Sequence, residues 1–289
     1  MIDTLKKTYR MSLLCKVLEV SRSGYYAWLN SEKSLRELRN ESILPLVREI
    51  WFKSRNTYGS RRILKVLLND YGVVCSRYLV RRLMKMSGIQ CKQKRRFKVT
   101  TNSKHNLPVS PNLLVRDFKV SEPDKVYVSD ITYIWSSEGW MYLAVVLDLF
   151  SREVIGWSMS RRIDSNLVQE ALKMAVLIRR PSSGLIFHSD RGSQYCSHNF
   201  RAMLNRYNIV SSMSRKGDCW DNAVCESFFS TLKKEWVFHQ HYRTCDEAKS
   251  DIIDYIEMFY NSRRRHSYLG YVSPRDFEAM HQQKKLKAA

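Results

Sequence analysis

The feature that most constrains the fold is an acidic residue inside an alternating stretch. Residues 125–135 follow the two-residue repeat of a β-strand, and Val126, Val128 and Asp130 fall on the same face of it. A carboxylate in the middle of a strand costs free energy when its face is buried, unless another charge offsets it. A bound metal ion would do so, and Asp130 is therefore the first candidate ligand.

A second carboxylate follows a short apolar stretch. Residues 185–189 indicate a buried strand, Asp190 comes at its carboxyl end, and the turn at Arg191-Gly192 follows. A residue at the end of a strand lies at the rim of a sheet, where it can reach a substrate. Divalent metals used in phosphoryl transfer need several oxygen ligands close together, so Asp190 is the second candidate.

A third carboxylate lies in a predicted helix. Residues 221–236 repeat apolar side chains every four positions, which indicates an amphipathic helix with Asp218 or Asp221 as its N-terminal cap. Thirty-five residues separate Glu226 from the second candidate. Lys233 stands two turns after Glu226, so a carboxylate and an ammonium group share one polar stripe.

The three carboxylates and the residues around them resemble the D,D(35)E active site of transposases and retroviral integrases. The flanking residues are most similar to those of the catalytic, second-frame (OrfB-type) transposases of bacterial insertion sequences. The motifs that carry the resemblance are Asp130-Ile131-Thr132-Tyr133, Val146-Leu147-Asp148-Leu149-Phe150-Ser151-Arg152, His188-Ser189-Asp190-Arg191-Gly192-Ser193-Gln194-Tyr195, Asp221-Asn222-Ala223 and Glu226-Ser227-Phe228-Phe229. The resemblance covers nearly the whole chain and implies an α/β fold, a ribonuclease-H-like integrase catalytic core preceded by an all-α helix-turn-helix region.

The resemblance also implies a reaction. It implies a DNA transposase that cleaves insertion-sequence ends and transfers the freed strand, first within the element to circularise it. Two Mg²⁺ ions, for which Mn²⁺ substitutes, would be held by Asp130, Asp190 and Glu226. The implied partners are double-stranded DNA, further copies of the chain on that DNA, and an upstream reading frame fused to this one. Lys233 matches the family's basic residue that contacts DNA near the reacting end.

Other residues near the carboxylates have less defined roles. His188 is either a donor to a metal-bound carboxylate, which we favour, or a buried histidine with other partners. Asn222 matches a family position, and we place it with His188 around the metal ligands. Asp148 ends the second strand and is expected to anchor the turn that follows. Five tryptophans are expected at core and interface positions rather than as base-stacking platforms: Trp135, Trp140, Trp157, Trp220 and Trp236.

The pattern after residue 123 agrees with the implied core. Strands at 125–135, 140–148 and 153–160 predict an antiparallel meander. A helix near 165–178 and another near 197–207 flank the strand that delivers Asp190.

The net charge of +21 is concentrated in one part of the chain. Residues 1–120 contain 26 Lys and Arg against 8 Asp and Glu, and residues 71–116 contain no acidic residue. Such a field binds nucleic acid in a salt-dependent way. A basic cluster with Lys94, Arg95 and Arg96 is typical of a linker that follows a DNA backbone.

Two N-terminal segments have helix-turn-helix patterns. Residues 12–29 fit either such a unit or any small helical hairpin, and the pattern does not decide between them. Residues 58–86 are more specific, because Ser76 precedes a helix whose outer side is basic. The alternative, a solvated basic face on a structural helix, stays open. The residues of this helix expected to contact DNA are Arg77, Arg81, Arg82 and Lys85.

We expect a helical DNA-binding region at 1–89, a basic linker at 90–117, the catalytic core with a helical extension at 118–281, and a frayed tail at 282–289. Seven cysteines without a C-x-x-C pair argue against a zinc ribbon and a disulfide framework. Apolar runs are too short to cross a membrane, and the N-terminus lacks the apolar core of a signal peptide. We therefore expect a cytoplasmic protein without a membrane partner.

Two other functions stay open at this point. A DNA-binding regulator would use a non-catalytic core for assembly alone, and the intact Asp, Asp and Glu argue against it. A structure-specific nuclease would use the same fold, but Lys233 and the basic N-terminal region favour an enzyme that joins strands. Strand transfer with a pre-cleaved oligonucleotide distinguishes the three.

Overall fold

A computed structural model describes residues 2–92, 108–115, 118–215 and 219–288 of the chain. An N-terminal set of helices is followed by a mixed β-sheet with helices on both faces. This is the α/β, ribonuclease-H-like architecture with a preceding all-α region that the sequence predicts. In the part described, no helix is both long and apolar enough to span a membrane.

Six helices precede the sheet in the described residues up to 92. Two of them begin where the sequence predicts, because the Ser21 hydroxyl accepts a hydrogen bond from the Gly24 N–H and the Ser76 hydroxyl accepts one from the Leu79 N–H. Both candidate helix-turn-helix segments are therefore helical. The helices are α1 (Ile2–Leu5), α2 (Met11–Val17), α3 (Arg22–Leu29), α4 (Leu35–Lys53), α5 (Ser60–Tyr71) and α6 (Arg77–Met86).

The sheet has five strands in the order β3-β2-β1-β4-β5. The predicted antiparallel meander of the first three strands is confirmed, and β4 pairs in parallel with both β1 and β5. The strands are β1 (Val126–Ser136), β2 (Gly139–Asp148), β3 (Val154–Ser160), β4 (Ile186–Ser189) and β5 (Val210–Met213). The three meander strands begin and end within one residue of their predicted bounds, which is the usual uncertainty of an element boundary.

The alternation along β1 separates two apolar cores. Tyr127 belongs to one core, and Val126 and Val128 belong to the other. Because successive side chains point to opposite faces, Asp130 lies on the face of Val126 and Val128. The helices of the Tyr127 face are α7 (Ser165–Arg179), α8 (Ser193–Cys196) and α9 (His198–Arg206), and those of the Asp130 face are α10 (Ala223–Glu235) and α11 (Cys245–Asp254).

The N-terminal helices are joined to the core by a polar seam. The Tyr58 hydroxyl accepts a hydrogen bond from the Arg265 N–H at 2.7 Å and donates one to the Arg263 carbonyl at 3.2 Å. The guanidinium of Arg265 also lies 2.6 Å from a carboxylate oxygen of Asp70 in α5. These contacts fix α5, and α6 packed against it, relative to the sheet.

The C-terminal segment corrects one prediction. Residues 282–288 do not fray, because α12 (Pro274–Ala288) continues through them. This stretch contains good helix formers and no residue that stops a helix. In addition, the Lys285 ammonium lies 2.7 Å from the Glu122 carboxylate, which ties the end of α12 to the start of the sheet region. Between α11 and α12, Tyr255–Asn261 form a π-helical segment.

Candidate active site

Two carboxylates meet where β1 and β4 separate. The parallel register places Val128 beside His188, and two further residues along each chain bring Asp130 beside Asp190. Burial and the neighbouring Asp190 carboxylate raise the pKa of Asp130 well above its usual range, and Glu226 adds to this effect. The aspartates therefore form a close pair with an excess of negative charge.

Backbone groups hold one oxygen of each carboxylate. The Ile131 N–H donates to Asp130 Oδ1 at 2.8 Å, and the Gly192 N–H donates to Asp190 Oδ1 at 2.9 Å. A Cβ atom at position 192 would lie 3.0 Å from Asp190 Oδ1 and 2.9 Å from Gln194 Oε1. The tight approach of the turn to Asp190 therefore explains the glycine.

Glu226 reaches the same side of the sheet from α10. Phe228 and Leu232 bury the inner side of this helix in the core that contains Val128, and Glu226 projects from its exposed side. Partial burial raises the pKa of Glu226. Among the described residues, no three His, Cys, Asp or Glu side chains lie close enough together to hold one ion. The structure thus brings two of the predicted ligands together, and Glu226 lies close enough to contribute to the raised pKa of Asp130 without joining the two aspartates in one cluster.

Lys233 lies on the predicted stripe of α10. Its ammonium group is 4.2 Å from the centre of the Tyr133 ring, a cation–π contact. Burial lowers the pKa of Lys233 to about 8, and attraction to Asp130 opposes this shift. The lysine is therefore part of the same electrostatic site as the aspartates.

Asn222 links the start of α10 to β1. Its side chain is buried, and its Nδ2 donates to the Ser129 carbonyl at 3.2 Å, directly before Asp130. Its Oδ1 is buried without a partner within the described residues. The Ser129 hydroxyl in turn lies 2.8 Å from the Tyr195 hydroxyl. Asn222 therefore sets the position of α10 against the strand that carries Asp130.

His188 has partners other than those we favoured from the sequence. Its ring nitrogens face the hydroxyls of Ser212 and Ser214, at 2.8 and 3.3 Å, and burial lowers its pKa. The expectation that His188 donates a hydrogen bond to one of the candidate ligands is therefore wrong, since both described partners are serine hydroxyls. The alternative, a buried histidine with other partners, agrees with them, because β5 brings two serines beside the imidazole.

Two competing carboxylates have structural partners. Asp148 accepts hydrogen bonds from the N–H groups of Phe150 and Ser151 at 2.7 and 3.1 Å, so its predicted role as a turn anchor is confirmed. Of the two predicted caps of α10, Asp218 lies outside the described residues, and Asp221 is wrong because α10 begins only after a 3₁₀ turn. Asp221 instead forms a two-point contact of 3.1 and 3.0 Å with Arg215.

The predicted DNA-binding residues divide into two groups. Those of α6 are all exposed, on the side away from its buried Val80 and Leu83. Lys94, Arg95 and Arg96 lie outside the described residues. The Trp220 side chain lies outside the described residues. Trp135 and Trp140 are 57% and 49% exposed, so they are not core residues, and an interface position for them stays a prediction. Periodicity could not show this, because exposure depends on which element covers the strand. The four exposed basic residues of α6 are Arg77, Arg81, Arg82 and Lys85.

Comparison with known proteins matches different parts of the chain to different families. Residues 37–97 match the HTH-like domain family, and residues 120–219 and 207–274 match two integrase core domain families. The chain is 45% identical over 270 residues to the insertion element IS600 uncharacterized 31 kDa protein of Shigella sonnei, covering 93% of this chain and 99% of that protein. It is 39% identical over 279 residues to transposase InsF for insertion sequence IS3A of Escherichia coli, covering 96% of both chains.

A weaker likeness is found among solved structures. The HTLV-2 integrase catalytic core domain in complex with magnesium is 16% identical, with a TM-score of 0.44, covering 55% of this chain and 99% of that one. Family membership follows instead from the full-length sequence relatives. The chain belongs to the family of insertion-sequence transposases, polynucleotidyl transferases that act in DNA transposition.

Proposed function

We propose that Asp130, Asp190 and Glu226 carry the metal-dependent cleavage and joining of insertion-sequence ends. The observation that carries this proposal is the parallel register of β1 and β4, which sets Asp130 beside Asp190 at the open end of the pair. Glu226 faces the same region from α10 and contributes to the raised pKa of Asp130. A carboxylate pair that repels itself in this way is suited to a cation.

The donor set fits magnesium. Carboxylate oxygens are the ligands that Mg²⁺ prefers, and Mn²⁺ accepts the same hard oxygen donors. Asp130, Asp190 and Glu226 would together hold two such ions. When bound, the ions would supply a nucleophilic oxygen at neutral pH and stabilise the leaving oxygen.

The chain's other residues hold the DNA for two successive reactions. In the first, a water oxygen bonds to the phosphorus at the element end, and the bond to the 3′ oxygen breaks to give a 3′-hydroxyl. In the second, that hydroxyl attacks a phosphorus of another strand and releases a new 3′-hydroxyl; on family resemblance, the first such transfer circularises the element. We assign Lys233 to the phosphate nearest the reacting bond, and Asn222 to holding α10 against β1.

The N-terminal region would recognise the duplex. We propose that 1–89 is the DNA-binding region, that 90–117 is the linker, and that the core begins at 118. The exposed basic side of α6 supports this assignment, since phosphate contacts supply much of the affinity of DNA-binding proteins. We further propose that copies of the chain assemble on DNA and that fusion to an upstream frame produces a longer form.

The test uses the full-length protein, Mg²⁺ and DNA from the ends that flank its own reading frame. Asp130→Asn, Asp190→Asn and Glu226→Gln should each abolish cleavage, and also joining of a pre-cleaved end, while DNA affinity changes less than about two-fold. Glu170→Gln is the matched control, because this carboxylate is exposed on α7. Near-normal joining by any of the three variants would remove that residue from the site, and cleavage without joining by the wild-type protein would indicate a nuclease.

A further inference from the structure

Two exposed tryptophans stand opposite each other near the tip of the β1–β2 hairpin. Trp135 pairs with Trp140 in the antiparallel register, and their ring centres are 4.9 Å apart. The ring of Tyr133 lies edge-on to Trp140 at 5.0 Å. Tyr133, Trp140 and Trp135 thus form a continuous row, which we call the aromatic ladder.

The aromatic ladder lies on the face of β1 opposite Asp130, the face of Tyr127, and Lys233 connects it with the candidate active site. The pairing of β1 with β4 ends at Val128, so a DNA strand can pass the edge of β1 from Asp130 to the ladder. The Lys233 ammonium lies over the Tyr133 ring, and Tyr133 is three residues after Asp130 on β1. At about 3.3 Å per residue, Trp135 lies about 17 Å along the strand from Asp130. This is the length of about five stacked nucleotides, which are spaced about 3.4 Å apart.

The fold alone does not account for this exposure. Trp157 and Trp236 are partly buried, and their indole N–H groups donate to Glu257 at 3.1 Å and to Asp251 at 2.7 Å. Trp135 and Trp140 are about half exposed, and their indole N–H groups have no hydrogen-bond partner within the described part of the chain. Large aromatic side chains gain free energy when they are covered, so an adjacent exposed pair indicates a binding surface.

The charges beside the aromatic ladder favour an anionic partner. Lys233 stands at one end, while Arg161 and Arg162 follow the end of β3, whose Ser160 pairs with Tyr142 of β2. Both arginines are exposed. The nearby carboxylate of Glu138 is paired with Arg161 and also accepts a hydrogen bond from the Cys245 N–H at 3.0 Å.

We propose that the aromatic ladder stacks unpaired bases of the DNA strand that continues past the reacting phosphate. This rests on the function proposed above, which places that phosphate at Asp130 and Asp190. A base inside a duplex has both faces covered by its neighbours, so only an unpaired base or a terminal pair can stack on an indole. Stacking of this kind tolerates any sequence, because every base has a flat face, while Lys233 and the arginines hold the phosphates.

The test compares two DNA probes in the absence of divalent metal. One is an element-end duplex with a five-nucleotide single-stranded extension, and the other is the same duplex with blunt ends. Trp135→Ala with Trp140→Ala should weaken binding of the extended probe at least ten-fold and of the blunt probe less than two-fold. The salt dependence should stay unchanged, since stacking releases few counterions. Phe at both positions should restore most of the affinity, and Leu177→Ala, which removes an exposed side chain from α7, should change neither probe.

A fluorescence measurement keeps the proposal testable if the alanine variants bind DNA poorly for other reasons. A 2-aminopurine base in the extension should be quenched when the Asp190→Asn protein binds. The quenching should be lost when Trp135 and Trp140 are both replaced by Ala in that protein, and it should persist when Leu177 is replaced instead. Equal weakening for both probes, unchanged binding, or no quenching would overturn the proposal. None of these binding measurements requires catalysis. If the stacking proposal is wrong, joining activity is still observed; if the proposed joining function is wrong, tryptophan-dependent binding is still observed.

Discussion

Glu235 and Arg264 form a two-point ion pair inside the protein, with both N···O distances at 2.7 Å. Arg62 of α5 reaches the same carboxylate at 3.1 Å. Glu235, the last residue of α10, therefore joins this helix to the N-terminal helices and to the segment after Asn261 that carries Arg264. Burial opposes ionisation of Glu235, but the two arginines hold its pKa below the usual range. The ion pairs therefore fix the position of the N-terminal helices relative to α10 and the candidate active site.

Glu235→Gln should destabilise the protein strongly. It leaves the guanidinium of Arg264, which is 4% exposed, without its counter-charge, and breaking such a buried pair costs about 3–5 kcal/mol. The measurement is the free energy of unfolding in urea. Glu41→Gln serves as the control, because its pair with Lys33 is exposed and should contribute less than about 1 kcal/mol. Equal losses of unfolding free energy in the two variants would mean that the buried pair stabilises the protein no more than the exposed pair does.

Neutralising α6 should weaken DNA binding without affecting the chemistry. Arg81→Ala with Lys85→Ala removes two exposed charges, and each phosphate that the protein no longer neutralises should reduce the slope of log affinity against log salt by about 0.9. Joining at saturating DNA should remain near normal. Lys173→Ala on α7 is the matched control for removal of an exposed charge. An unchanged slope in the double variant would show that this side of α6 is only a solvated face.

The sequence pattern was sufficient to predict that Asp130 lies within a strand and that Asp190 ends one, because alternation and strand ends are local properties. The position of β4 beside β1, which brings the two carboxylates together, is a tertiary feature. The partners of His188 could not be predicted, since Ser212 and Ser214 come from β5 and the residue after it, and the position of β5 beside β4 is a tertiary feature. The same holds for Trp135, whose exposure depends on elements that do not cover it. The tail prediction failed because polar residues at 282–288 suit a solvated helix as well as a frayed end.

Lys233→Ala should slow joining only in part. In the proposed function the lysine holds a phosphate and no metal, so its loss should slow joining about ten-fold, which corresponds to about 1.4 kcal/mol, while Glu226→Gln should remove activity entirely. Lys233→Arg should restore much of the rate, since the guanidinium keeps the charge and can still stack on Tyr133. Joining is measured across a salt series, and an alanine variant that matches the wild type at every salt concentration would remove Lys233 from the DNA contact.

His266 should make the protein less stable in mild acid. Burial and the charges of Arg264, Arg152 and Arg62 lower its pKa to about 3, far below the value of about 6.5 in an unfolded chain. Below about pH 6.5 the unfolded state takes up a proton that folded His266 does not. The contribution of His266 to stability is therefore complete above pH 6.5 and is lost as the pH falls towards 3, by at most about 1.4 kcal/mol per pH unit.

His266→Gln removes this titration, so the difference in unfolding free energy between wild type and variant should shift in the variant's favour from pH 7.5 to pH 5. Asp148, whose pKa burial raises to about 6, contributes with the opposite sign, but it is present in both proteins and cancels in the difference. His198→Gln is the control, because His198 is exposed on α9 and its replacement should give a curve parallel to that of the wild type. Urea unfolding at four pH values between 7.5 and 5 measures the effect, and parallel curves for His266→Gln and wild type would show that the imidazole takes up its proton in the folded protein.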